Sequence, residues 1–253
     1  MNIVIIGSGN VATHLTKALL KQNHKIKQVL SRQLKNAHEL AVIVNAEPIT
    51  DFSQLDILAD LYIISVSDDA LPDVVNNMPN VSGIVAHTAG SIGISSLSRF
   101  ENYGVFYPFQ TFTKDSDIDF DHVPVLIEAN IEWNAEKLFE LGKQISMNVI
   151  RASSKQRGDL HIAAVYACNF VNHMYRLAEE TLIESGLSFE LLKPLIAETA
   201  NKVMTLPPSK TQTGPASRND QKIISKHLNS LQNKPELEEI YRILTQSILA
   251  RTK

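Results

Sequence analysis

Through the first 150 residues, short apolar runs alternate with stretches whose apolar residues recur every three or four positions. Residues 2–6, 27–30, 61–66, 83–86, 105–107 and 123–127 are rich in β-branched side chains and bounded by turn formers, which predicts strands. Between them, 11–21, 34–44, 69–77 and 134–145 carry helical spacing. Such alternation predicts an α/β fold: a doubly wound, mainly parallel sheet with helices on both faces. After residue 150 the rhythm changes. Residues 155–185, 190–204, 220–232 and 236–250 all have helical periodicity, and Pro207, Pro208, Gly214, Pro215 and Pro235 mark the breaks. The expected division is a dinucleotide-binding domain over 1–151 and an all-helical domain over 152–253.

Composition narrows the function classes. A chain of 253 residues, 44% apolar and 20% charged, can bury a sizeable core without staples. Its net charge of −3 and lack of long charge runs give no nucleic-acid or polybasic membrane signal. The single Cys168 excludes an internal disulfide and a multi-cysteine metal site, and it suits a reducing compartment. No apolar run reaches the roughly 20 residues that a bilayer needs. The first strand has no basic segment before it, so no signal peptide is expected. These features together predict a cytoplasmic protein.

The opening VIIGSGNVAT supplies the first chemistry. Gly7, Gly9 and Ala12 match G-x-G-x-x-[GA] directly after a strand and at the head of a helix. Gly7 permits the turn, Gly9 lets the backbone approach a pyrophosphate, and Ala12 allows close packing of helix on strand. The amides of Gly7, Gly9, Asn10 and Val11 would then hold phosphates at the positive end of the helix dipole. The bland alternative is a glycine turn serving packing alone. An NAD site usually places Asp or Glu about 20 residues further on; here VLSRQL puts Ser31 and Arg32 there, with Lys35 nearby. A hydroxyl and a guanidinium suit a 2′-phosphate, so NADP is the expected cofactor and NAD the alternative. Arg32 as a merely solvated residue remains open.

Ligands of such sheets lie beyond the carboxyl ends of the strands. Val66 and Ser67 end one strand, where they would border the nicotinamide ribose; Ser67 or Asp68 could equally cap the next helix. His87 and Thr88 end the next, and His87 is a candidate proton donor or nicotinamide contact beside the reading of a structural histidine. In GVFYPFQTF, Tyr107 follows a strand, and its aromatic company suggests core. On a straight helix through GDLHIAAVYACNFVNHMYRLAEETL, His161, Asn169, Asn172, His173 and Arg176 share a polar arc that holds no Glu or Lys between 160 and 175. That composition suits a half-buried cleft, with His161 and Asn169 facing the cofactor and Lys155 at the arc's edge as a possible acid. A helix–helix or subunit interface is the alternative. The spacing offers no metal site. In TQTGPASRND, Asn219 or Asp220 caps the following helix, and Arg218 is a weaker candidate for an anionic substrate.

Taken together, GSGNVA, the SR pair, HTAGS, YPFQTF, LHIAAVYACNF and TGPASRND resemble, over nearly the whole chain, a Rossmann-like NADP oxidoreductase family of the deazaflavin-coenzyme-dependent type that carries a C-terminal helical domain of unknown function. The family is similar in architecture to pyrroline-5-carboxylate reductase and the 3-hydroxyisobutyrate dehydrogenases. The resemblance implies substrate binding between the domains and a homodimer formed through the helical domain. The hydroxyacid dehydrogenases carry a catalytic Lys with an Asn four residues later. Here His161, Val165 and Asn169 occupy that region without such a Lys, which points away from plain hydroxyacid oxidation. The resulting expectation is an NADP-dependent oxidoreductase moving a hydride to or from a small C=O or C=N substrate. The alternative is a non-catalytic NADP(H)-binding sensor or docking protein.

Overall fold

A computed structural model describes residues 1–114, 116 and 118–251. The chain divides into two compact units, Met1–Cys168 and Asn169–Lys253. The division expected from the sequence fell at 151/152. In the structure the helix that begins at Ser154 belongs to the first unit, because the buried side chain of Arg157 ties it to that unit's sheet.

Among the described residues of the first unit, eight strands form one sheet in the order β3-β2-β1-β4-β5-β6-β7-β8. The strands are β1 (Asn2–Ile6), β2 (Lys25–Leu30), β3 (Glu47–Ile49), β4 (Leu61–Ile64), β5 (Ile84–His87), β6 (Tyr103–Pro108), β7 (Val125–Ala129) and β8 (Val149–Arg151). Pairing is parallel from β3 to β6, antiparallel between β6 and β7, and parallel again between β7 and β8. The fold class is the expected doubly wound, mainly parallel one. Strands β3 and β8 extend it at both edges with three residues each.

Both faces of the sheet are covered, which is why its central strands read as continuous apolar runs. Side chains alternate across β1: Ile3 and Ile5 pack with Leu15, Leu19, Leu40 and Leu138, while Val4 and Ile6 pack with Leu71, Val75, Leu97 and Phe100. The first face is built by α1 (Asn10–Lys21), α2 (Leu34–Val44) and α4 (Glu132–Ile145). The other lies under α3 (Leu71–Asn77). Burying a Leu or Ile side chain stabilises by about 1.5–3 kcal/mol, so these two layers dominate the unit's stability.

The expected helix over 155–185 starts as α5 (Ser154–Ala164), passes through a π-helical segment (Val165–Phe170) and continues as α6 (Val171–Glu184). A π segment takes an extra residue per turn, so a wheel drawn at 100° per residue does not hold across it. Nor are the apolar positions on that wheel buried; Tyr166 and Phe170 are exposed. The second unit adds α7 (Lys193–Thr205), the single turn α8 (Pro208–Thr211), α9 (Gln221–Leu231) and α10 (Pro235–Leu249). Asp220 caps α9 by accepting from the amide of Ile223 at 3.1 Å.

Candidate functional site

The strand order reverses between β1 and β4, and a doubly wound sheet binds ligands in the crevice beyond the strand ends at that point. Gly7 leaves β1 there with φ +116°, and a Cβ on it would sit 2.0 Å from the carbonyl oxygen of Ser65. Only glycine satisfies both demands. Gly9 is the N-cap of α1 and is different: a Cβ on it would meet nothing within 4 Å. The space in front of it is open. No side chain caps α1, no acid stands in its first turn, and the amides of Asn10, Val11 and Ala12 have no intrahelical partner. A helix end of this kind can receive an anion on main-chain amides alone.

At the end of β2, Ser8 donates its hydroxyl hydrogen to Ser31 Oγ at 3.0 Å, linking the turn to the second strand. Arg32 is exposed and makes no hydrogen bond or ion pair among the described residues. The side chain of Asn10 is committed elsewhere: it donates to the carbonyl of Phe112 at 2.9 Å, leaving only its amide for a phosphate. His14, one turn further along α1, stacks on Phe112 and bonds the carbonyl of Thr113 at 2.8 Å. The segment after β6 is thus strapped to the head of α1, a contact that sequence periodicity does not signal.

The β4 end places Ser67 at the N-cap of the 3₁₀ turn Asp68–Ala70, where its carbonyl, not its hydroxyl, accepts from Ala70. Val66 is half-buried and presses on the Gly7 turn. Beyond β5, His87 is wholly buried; its Nδ1 accepts from the Ala89 amide at 3.1 Å and its Nε2 reaches no acceptor among the described residues. Burial first, then the Arg157 charge, push its pKa down to about 4, against weaker pulls from Gly93, Asp68 and Glu128. His87 is therefore neutral at pH 7 and holds the turn.

That turn is clamped from below. Arg157, fully buried, pairs with Glu128 of β7 at 2.6 Å, donates from Nε to the carbonyl of Ala89 at 3.2 Å, and donates from Nη2 to that of Ile92. Ser154 donates to the same carboxylate at 2.7 Å and accepts from the Ile94 amide. The Ser153–Gln156 capping box that starts α5 sets this helix in place. Sequence reading missed Arg157; only the capping box S-x-x-Q was legible beside it.

The candidate acids separate. His161 comes to the carboxyl edge, its Nδ1 3.1 Å from the hydroxyl of Tyr107 at the end of β6. Gly90 lies against both: a Cβ there would be 2.6 Å from His161 Nδ1 and 2.8 Å from the phenol oxygen. Lys155 is exposed and ion-paired with Asp159 at 2.6 Å, which raises its pKa. Asn169 is exposed in the π segment and belongs to the second unit.

A dinucleotide-binding turn with a free guanidinium in place of the ribose acid defines an NADP-type Rossmann protein. Comparison with known proteins agrees. A family model described as NADP oxidoreductase, coenzyme F420-dependent, matches residues 2–95, and a domain of unknown function (DUF2520) matches residues 123–248. A candidate NADP oxidoreductase from Bacteroides fragilis is 42% identical over 98% of both chains, with a TM-score of 0.90. The 1-pyrroline-5-carboxylate reductase of Streptococcus pyogenes shares 13% identity over 99% of this chain and 98% of its own, TM-score 0.64. That of Plasmodium falciparum, solved with NADP bound, shares 15% over 100% and 98%, TM-score 0.58. At those identities the last two show the fold alone. No curated protein matches the chain. The chain belongs to the family that joins this NADP oxidoreductase domain to the domain of unknown function, and it is an oxidoreductase of NADP. The open space before Gly9, the uncapped helix and the unpaired Arg32 all fit that cofactor.

Proposed function

We propose that the protein is a cytoplasmic homodimer that reduces, or forms by oxidation, a small C=O or C=N group with NADP(H). One observation carries the cofactor half of this reading: the cradle of Gly7, Gly9 and the amides of Asn10 and Val11 has a free cation, Arg32, at the end of the neighbouring strand. Ser31 and Arg32 bind the 2′-phosphate. Val66 and Ser67 border the nicotinamide ribose. When bound, NADPH supplies the hydride. On the protein's side, His161 handles the proton, His87 positions the turn after β5, and Lys155 contributes a polar contact to substrate. Exposed apolar side chains support a second copy on the helical unit: Ile183, Leu191, Leu195 and Met204 are 63–83% exposed.

NADPH fluorescence titration tests the cofactor half. Hydrogen bonds to charged groups contribute about 1.5–3 kcal/mol, so Arg32→Ala weakens NADPH binding about ten- to hundredfold and leaves NADH binding nearly unchanged. Equal loss for both cofactors would remove Arg32 from the 2′-phosphate. Screening keto acids, imines and a deazaflavin for NADPH oxidation tests the reaction; binding without turnover of any class leaves a sensor as the reading. Light scattering at two concentrations tests the dimer.

A further inference from the structure

At the carboxyl edge of β5 and β6, the hydroxyl of Tyr107 meets His161 with the backbone of Gly90 packed against both. Neither the phosphate cradle nor the Arg157 clamp uses this pair. The two rings lie edge to face, centroids 6.4 Å apart, both half-buried.

We propose that Tyr107 is the catalytic acid of the reduction and that His161 is its positioning and proton-returning partner; this rests on the reading of the protein as a C=O or C=N reductase. Placement is the first argument. The two halves of a doubly wound sheet each take one mononucleotide. The Ser31–Arg32 end of β2 belongs to the half built from β1, β2 and β3, so the half built from β4, β5 and β6, where Tyr107 stands, would receive the reacting end of the cofactor. Elimination is the second. His87 is buried and neutral, and Lys155 is held by Asp159 at an exposed position, so neither presents a proton to that edge.

Burial raises the phenol's pKa, the Arg157 charge opposes this and Asp68 adds to it, so the hydroxyl is protonated at pH 7. With its proton on Nδ1, His161 donates to the phenol oxygen and frees the phenol hydrogen to point outward. Bound reduced nicotinamide would supply the hydride that forms the substrate's new C–H bond. The former π pair on oxygen or nitrogen takes the Tyr107 proton, forming O–H or N–H. The phenolate recovers a proton from His161 Nδ1, and the half-exposed ring takes one from water at Nε2. The substrate is reduced by two electrons and the nicotinamide oxidised by two. Gly90 is what lets the pair meet, since a methyl there would overlap both polar atoms.

The test uses the full-length enzyme. Nitrogen-15 NMR of the histidines in cofactor-free protein reads the environment of His161 Nδ1. Tyr107→Phe and Gly90→Ala are each expected to change its Nδ1 shift, because the hydrogen bond at that nitrogen is lost. NADPH fluorescence is expected to stay within about twofold of wild type in Tyr107→Phe, while turnover on the best carbonyl or imine falls about 10²–10⁴-fold, the usual contribution of a general acid. His161→Asn, which keeps a donor near Nδ1, is expected to retain part of the activity and to shift the alkaline limb of the pH profile. An unchanged His161 Nδ1 shift in Tyr107→Phe overturns the pair, and wild-type turnover in Tyr107→Phe overturns the acid. Both results leave the cofactor reading standing. Failure of wild-type protein to bind NADPH overturns the cofactor reading itself.

Discussion

Replacing Arg157 by Met is the sharpest perturbation of the frame that carries the site. The guanidinium is 0% exposed and bonds one carboxylate and two main-chain carbonyls. Met keeps most of the side chain's volume, so the cavity contribution is small. What remains is a carboxylate at Glu128, whose side chain is only 19% exposed, with its charge partner gone, together with the orphaned carbonyls of Ala89 and Ile92. Breaking a buried ion pair from one side costs about 3–5 kcal/mol, against a total stability of about 5–15 kcal/mol. With a urea slope of about 2–3 kcal/mol/M, the midpoint falls by about 1–2 M. Trp133, the chain's single tryptophan, lies on α4 of the first unit, so its fluorescence reports the relevant transition. Adding Glu128→Gln to Arg157→Met is expected to recover 1 kcal/mol or more, because the uncompensated charge is then gone. A loss below about 1 kcal/mol for Arg157→Met would refute the reasoning, since it would mean that water reaches the cluster.

Two glycines separate turn from site. Gly7→Ala forces a methyl against the Ser65 carbonyl at positive φ and is expected to destabilise the protein by about 3 kcal/mol or more in urea. Gly9→Ala is expected to lower stability in urea by no more than about 1–1.5 kcal/mol, the N-cap preference for Gly over Ala, while weakening NADPH binding at least tenfold, since its methyl occupies only the open space before the helix; unweakened binding would contradict the cradle. Acid should expose the buried His87. Its folded-state pKa, about 4, lies below the ordinary 6.5, so below pH 6.5 the unfolded chain binds the extra proton. The stability is complete above pH 6.5 and is lost as pH falls towards 4, by about 2–3 kcal/mol between pH 7 and 4.5. Urea titrations of wild type and His87→Gln check it: the two should converge as pH falls, and parallel curves would refute it.

Much of the fold was legible along the chain because its causes are local. Period-two and period-3.6 patterns located β1, β2, β4 to β7 and α1 to α4, and the glycine spacing at residues 7 and 9 marked the turn between β1 and α1. The short β3 and β8 were not legible: each has three residues, and pairing with a neighbouring strand, not its own pattern, makes it a strand. The same limit applied to the helix over 154–184. Its periodicity was plain, but the π segment that breaks the wheel does not follow from the residue pattern.

The sequence by itself determined the doubly wound class, the glycine turn after β1 and the absence of an acid where Arg32 stands, since each depends on residues near one another in the chain. Tertiary structure alone decided that Arg157 is buried on Glu128, that His87 is neutral, and that Tyr107 meets His161 over Gly90. Those partners lie 29, 70 and 54 residues apart. A charge or a ring takes its protonation and reach from whatever the fold packs beside it, and no local pattern encodes that neighbour.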